Sequence, residues 1–143
     1  MLRKARHPKL TVILLIDANQ QDREYFGQLL LNSSPDFIVF NSTTGEHGVA
    51  LFRQKPIDCV VLEIDLPDMS GFEVLRRLIP SVEYPGIPVI ILTRLSNHYL
   101  LDAAIKNGAQ AALYKGNASA DILNRAILNA ISTVQSNRQP LAV

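Results

Sequence analysis

The stretch Thr11 to Ile16, Thr-Val-Ile-Leu-Leu-Ile, is apolar at nearly every position and rich in β-branched residues. A strand with one wet face alternates between apolar and polar residues, whereas an unbroken apolar run marks a parallel strand covered on both faces. Four more runs of strand length follow: Phe37 to Phe40, Cys59 to Leu62, Val89 to Leu92 and the weaker Ala111 to Tyr114. Between them lie segments with helical spacing. Gln20 to Leu31 repeats Tyr25, Leu29 and Leu30 and is barred from continuing by Pro35, and Gly45 to Gln54 carries Val49, Ala50 and Phe52. Gly71 to Leu78 and Asn97 to Asn107 follow, the latter stopped by Gly108, and a last helix runs from about Ala118 to Val134 with Ser119 and Asp121 suited to its start.

Five strands alternating with five helices within 143 residues predict one α/β domain. Its five-stranded parallel sheet has right-handed crossovers and helices on both faces, a three-layer flavodoxin-like (βα)5 sandwich. The expected organisation is a basic arm over residues 1–10, the domain over 11–135, and a tail or the start of a linker over 136–143. In such sheets a site forms outside the carboxyl ends of the strands. The residues there are Asp17 after the first strand, Glu63 after the third, Thr93 after the fourth and Lys115 after the fifth.

Composition removes several functions. A formal net charge of +1 provides no field for nucleic acid or membrane, and Arg3, Lys4, Arg6 and Lys9 make only a short basic arm. Cys59 is the single cysteine and sits in an apolar run, which fits a buried thiol in a reducing, cytoplasmic setting. His7, His47 and His98 have no metal-ligand spacing and are expected at the surface. Gly45-Glu46-His47-Gly48 lacks the basic residue of a nucleotide loop, and no nucleophile motif is present. An enzyme is not expected.

The run Val60-Val61-Leu62-Glu63-Ile64-Asp65-Leu66-Pro67-Asp68-Met69-Ser70-Gly71 resembles the loop after the third strand of a response-regulator receiver domain. There an apolar strand ends in an aspartate, a proline follows four residues on, and a glycine opens the next helix. With Asp17, Thr93 and Lys115 in order, the resemblance extends from about Thr11 to Thr133. It implies that Glu63 stands at the phosphoacceptor position, Asp17 in the acidic pocket, and Thr93 and Lys115 where phosphoryl oxygens are contacted. In the family a second acid after the first strand ligates Mg²⁺, with the acceptor carboxylate and the backbone carbonyl two residues beyond it, here that of Asp65. Ala18 occupies the place of that second acid. Mg²⁺ asks for near-octahedral oxygen ligands, so no cofactor is expected and Mg²⁺ binding should be weak or absent; any residual site would use Asp17, Glu63 and the Asp65 carbonyl.

Glu63 itself opposes the family reaction. Its extra methylene moves the attacking oxygen by roughly 1 Å, a misplacement that can lower a rate about a hundredfold. Arg94 follows Thr93 where the family commonly has a small residue, and it is expected to cover the pocket and to join Asp17, Glu63, Asp65 and Lys115 in a cluster that needs no metal. The aromatic residue three before the lysine is replaced by Ala112, and the usual proline after it by Gly116. The expected function is therefore an atypical receiver in two-component-type signalling, a phosphorylation-independent protein-interaction module. Its partner would be a signalling protein or output domain. A homodimer is expected through the fourth helix, fifth strand and fifth helix, with Tyr99, Leu100 and Tyr114. Leu123, Ile127, Ala130 and Val134 are expected to pack mainly on the sheet. Two alternatives stand: a phosphoacceptor of a histidine-kinase phosphorelay with an engineered glutamate, and a small flavodoxin-like enzyme or cofactor-binding domain.

Overall fold

The computed structural model describes residues 10–137, so the basic arm with Arg3, Lys4, Arg6, His7 and Lys9, and the end of the tail, lie outside the described residues. The order is β1 (Thr11–Ile16), α1 (Gln20–Ser33), β2 (Phe37–Ser42), α2 (Gly45–Gln54), β3 (Cys59–Leu62), α3 (Gly71–Leu78), β4 (Val89–Thr93), α4 (His98–Lys106), β5 (Ala111–Tyr114) and α5 (Ala120–Ser136). The strands form one parallel sheet in the order β2-β1-β3-β4-β5. This is the flavodoxin-like sandwich that the alternation predicts.

The unbroken apolar strands acquire their meaning from the two-residue period of a strand. Leu14 and Ile16, Val60 and Leu62, and Val89 and Ile91 face one way, onto Val49 of α2, Val74, Leu75 and Leu78 of α3, and Ala104 of α4. Ile13 and Leu15, Cys59 and Val61, and Ile90 and Leu92 face the other way, onto Phe26 and Leu30 of α1 and Leu123, Ile127 and Ala130 of α5. Each central strand thus serves two cores, and fully burying one such side chain contributes about 1.5–3 kcal/mol. The Cys59 thiol lies fully inside this packing, where burial pushes its pKa up and leaves it inert.

Several details differ from the sequence reading. In α1, Tyr25 is 61% exposed and Phe26 holds the inner position, one residue away from the face assigned by spacing. β2 and β4 run on to Ser42 and Thr93, and α5 begins at Ala120 because Ser119 is its N-cap, accepting from Ile122 N–H. Gly108 ends α4 with φ +107°, a conformation that favours glycine. Leu123, Ile127, Ala130 and Val134 are all buried on the sheet side of α5. Leu100 packs against a core cluster, so of the expected surface pair Tyr99 is exposed and Leu100 is turned inward.

Candidate functional site

Strand register brings the site together. Ile16 pairs with Leu62 across β1 and β3, so the next residues, Asp17 and Glu63, leave the sheet side by side. Thr93 pairs with Tyr114 across β4 and β5, which sets Lys115 on the same edge. The loop from β3 to α3 then folds back sharply. Gly71 donates its N–H to the Ile64 carbonyl at 2.7 Å, and a Cβ on residue 71 would lie 2.6 Å from the Glu63 carbonyl oxygen, so this close approach requires glycine.

Lys115 is the centre of the site. Its side chain is 8% exposed, and its Nζ lies 2.7 Å from Asp17 Oδ2, 2.8 Å from Asp22 Oδ2 and 3.0 Å from Glu63 Oε1. The ammonium donates a hydrogen bond to Asp22 Oδ2 and is ion-paired with the Asp17 and Glu63 carboxylates. Two of the carboxylates are held in turn. Glu63 Oε1 accepts from Arg94 N–H at 3.2 Å and Oε2 from Asp65 N–H at 3.1 Å, while Asp17 Oδ1 accepts from Asn19 N–H at 2.9 Å. Asp22 belongs to the first turn of α1, where Asn19 caps its N–H at 3.0 Å.

Three negative groups share one positive group, and proton affinities follow. Burial raises the pKa of Asp17, with the Lys115 and Asn19 hydrogen bonds lowering it and nearby Glu63 raising it again. For Lys115, burial disfavours the charged form, but hydrogen bonds to Asp17, Asp22 and Glu63 outweigh it and hold the ammonium above an ordinary lysine. Burial therefore dominates at Asp17, and the neighbouring acids at Lys115.

The expected single cluster with Arg94 and Asp65 is corrected by this geometry. Arg94 sends its Nε, at 3.2 Å, and its Nη2 to Asp65 Oδ2 at the rim, where the two side chains are 62% and 48% exposed. The Arg94 guanidinium pairs with Asp65 and leaves Glu63 to its own backbone N–H. Thr93 is buried, but its hydroxyl accepts from Leu95 N–H at 3.2 Å, within its own loop, and is not among the hydrogen-bond partners of Glu63. Asp17, Ala18, Asn19, Glu63, Asp65 and Arg94 line an open cleft of ≈ 330 Å³ above the cluster.

The donor set does not match an Mg²⁺ site. Ala18 contributes no carboxylate, Asp65 turns its side chain outward to Arg94, and a buried ammonium lies against both inner acids. Beyond β5, Lys115–Asn117 form one turn of 3₁₀ helix, and the Tyr114 ring lies so close that a Cβ on residue 116 would come within 2.3 Å of it. Ala112 packs partly buried at the edge of the core.

Two site residues escaped the sequence reading. Asp22 completes the ammonium shell, and the available signal was an acid in the first turn of a helix that begins at the sheet's carboxyl edge. Asp68 accepts from Gly45 N–H and Glu46 N–H, both at 2.9 Å, and so ties the loop after β3 to the start of α2. These backbone bonds, that of Glu46 foremost, lower its pKa.

Known proteins resemble this chain along most of its length. A two-component response regulator of Arabidopsis thaliana, ARR5, is 28% identical over 125 residues, covering 80% of this chain and 68% of that protein. A probable cyclic di-GMP phosphodiesterase of Vibrio cholerae is 36% identical over 81 residues, which are 48% of this chain and only 18% of that relative. The crystal structure of a response regulator receiver domain protein from Clostridium thermocellum superposes with a TM-score of 0.78 at 29% identity, over 89% of this chain and 98% of that one. The family described as the response regulator receiver domain matches residues 13–127. Sheet order, loop frame and this match agree that the chain belongs to the response-regulator receiver family.

Proposed function

We propose that this receiver acts without phosphorylation, as a signalling interaction module held in one state by Glu63 and Lys115. The observation that carries the reading is the crowding of Lys115, whose ammonium has three carboxylates within 3.0 Å. A phosphoryl group would have to displace one of them. It would also meet two further buried negative charges with no metal to offset them, and the family's transfer depends on that offset. On this reading Mg²⁺ binds weakly or not at all. Glu63 supplies a single negative charge against the roughly −1.5 to −2 of a phosphate monoester, so its likeness to a phosphorylated acceptor is partial.

Receivers act by contact with kinases and output domains. Here the contact is assigned to α4, β5 and α5, where Tyr99 is 73% exposed and Ile105, Ile122 and Leu128 are also exposed. The domain works in the cytoplasm and binds neither nucleic acid nor lipid on this reading; among the described residues no helix is long and apolar enough to cross a membrane.

Intact-mass measurement after incubation with acetyl phosphate and Mg²⁺ tests the chemistry. The expected result is an unchanged mass, and a stable phosphoryl adduct on Glu63 overturns the proposal. Sedimentation of Tyr99→Glu beside the parent tests the surface: weakened association with an intact fold supports it, and unchanged association removes that face from the proposal.

A further inference from the structure

β2 stands at one edge of the order β2-β1-β3-β4-β5, and among the described residues nothing pairs with its outer side. We propose that this edge is a self-association surface, where β2 pairs antiparallel with β2 of a second copy about a two-fold axis at Val39. The inference goes beyond the proposed function and uses the side of the sheet opposite to β5.

The bonding pattern of β2 identifies the open groups. Thr11 N–H donates to the Asp36 carbonyl at 2.8 Å, and Asp17 N–H to the Ser42 carbonyl at 2.9 Å. Backbone groups of successive strand residues point to opposite sides, so Asp36, Ile38, Phe40 and Ser42 bond to β1 while Val39 and Asn41 turn N–H and C=O outward. Phe37 gives its N–H to the Ser34 carbonyl at 3.3 Å and keeps its own carbonyl outward. With Val39 on the axis, the two copies of Val39 exchange a pair of bonds, and each Asn41 N–H meets a Phe37 carbonyl. Open edges are ordinarily blunted by a charged residue, a proline or a bulge. Phe-Ile-Val-Phe-Asn-Ser has no charge and no proline, and its register with β1 is unbroken from Phe37 to Ser42.

The side chains favour a second copy as the occupant. In this register Ile38, 37% exposed, stands opposite Phe40 of the other copy, a β-branched residue against an aromatic one. On the same face, Lys55 Nζ lies 5.6 Å from the Phe40 ring centroid. Antiparallel pairing brings the Asp36 end of the other strand towards this ammonium, so opposite charges meet twice, once on each side of the axis. On the other face, a groove of ≈ 370 Å³ follows the edge, and its lining includes Leu31, Val39 and Asn41. Leu31 is 46% exposed near the end of α1, and the two-fold carries it towards the Asn41 end of the other copy's groove. The pair forms one continuous sheet with the α4, β5 and α5 surfaces free at its two far ends.

The test is sedimentation equilibrium of the full chain carrying Tyr99→Glu, which removes association through α4, β5 and α5. A concentration-dependent dimer should remain. Adding Asn41→Pro deletes both Asn41 N–H bonds across the axis and spares the ladder to β1, so the dimer should weaken roughly thirtyfold. Ile38→Lys places a charge at an exposed edge position and should weaken it at least about tenfold, which keeps the test decisive should Asn41→Pro fail to fold. Val39→Cys reads the register. It should form a symmetric disulfide on mild oxidation, because paired Cα atoms about 5.5 Å apart suit one, whereas Cys59 is fully buried. A Tyr99→Glu chain that stays monomeric at millimolar concentration, or a dimer that neither edge variant moves, overturns the inference. A monomer whose Val39 and Asn41 amide resonances respond to an added extended peptide of unrelated sequence assigns the edge to a peptide partner and also overturns it. Phosphoryl uptake is read separately by the mass measurement, so failure here leaves the proposed function standing.

Discussion

The pocket and its rim use the same chemistry, a carboxylate against a nitrogen cation, in opposite surroundings. Inside, Lys115, Asp17 and Glu63 have side chains 8%, 3% and 2% exposed. At the rim, Arg94 and Asp65 are 62% and 48% exposed. Water screens the outer pair, so its contribution is small, about 0–1 kcal/mol. Inside, the charges have been taken out of water and depend on one another, and breaking one such contact costs about 3–5 kcal/mol because it strands the partners left behind. Pairing alone therefore does not rank the two contacts; burial does. The rim can exchange partners at little cost, whereas the inner cluster cannot.

The largest expected effect sharpens this contrast. Lys115→Met, without added divalent cations, should lose about 3–5 kcal/mol in urea unfolding at neutral pH, since three carboxylates lose their common cation. A loss under about 1 kcal/mol would place the inner cluster with the rim and break the comparison.

Next in size is a dependence on pH. The folded pKa of Lys115 is raised, so its stabilisation is fully present below the unfolded value of about 10.4 and is lost as pH rises through the folded one. Alkaline unfolding of the parent should show this loss, and Lys115→Met should not. Asp17 is also raised, chiefly by burial, so its ionisation opposes folding: the protonated form is favoured below the unfolded value of about 3.9, and that advantage fades as pH rises through the folded value. A carbon-detected NMR titration should find Asp17 above an ordinary aspartate; a midpoint at or below it would contradict burial as the dominant influence on this carboxyl.

The smallest effect belongs to the rim. Arg94→Ala should change stability by less than about 1 kcal/mol, and added salt should shrink the difference further. A loss as large as that of Lys115→Met would mean that Arg94 takes part in the inner cluster after all.

The sheet was legible because unbroken apolar strands report two covered faces, and in β3, α2, α3 and β5 the expected bounds agree with those observed. α1 was legible as an element but not in its facing, because Tyr25 and Phe26 are adjacent aromatics and only tertiary packing selects between them. The site was legible at Asp17, Glu63, Thr93 and Lys115, whose place at strand ends follows from topology. Partner choice was not. Arg94 can reach either Asp65 or Glu63 by sequence distance, and its exposed rim position decides for Asp65. Asp22 is 93 residues from Lys115 along the chain, and only the closed fold brings them to 2.8 Å. Asp68 passed as part of a loop pattern because its role is toward backbone amides of another element.

The central claim is that Lys115 stays paired with its three carboxylates and does not take up a phosphoryl group. Beryllofluoride, a mimic of that group, tests it directly when added with Mg²⁺ to protein labelled with ¹⁵N and observed at the Lys115 Nζ and at the amides of Asp65, Arg94 and Tyr99. Unmoved resonances at saturating beryllofluoride are the predicted result; shifts at Lys115 Nζ that extend to Tyr99 would show a working acceptor pocket and contradict it.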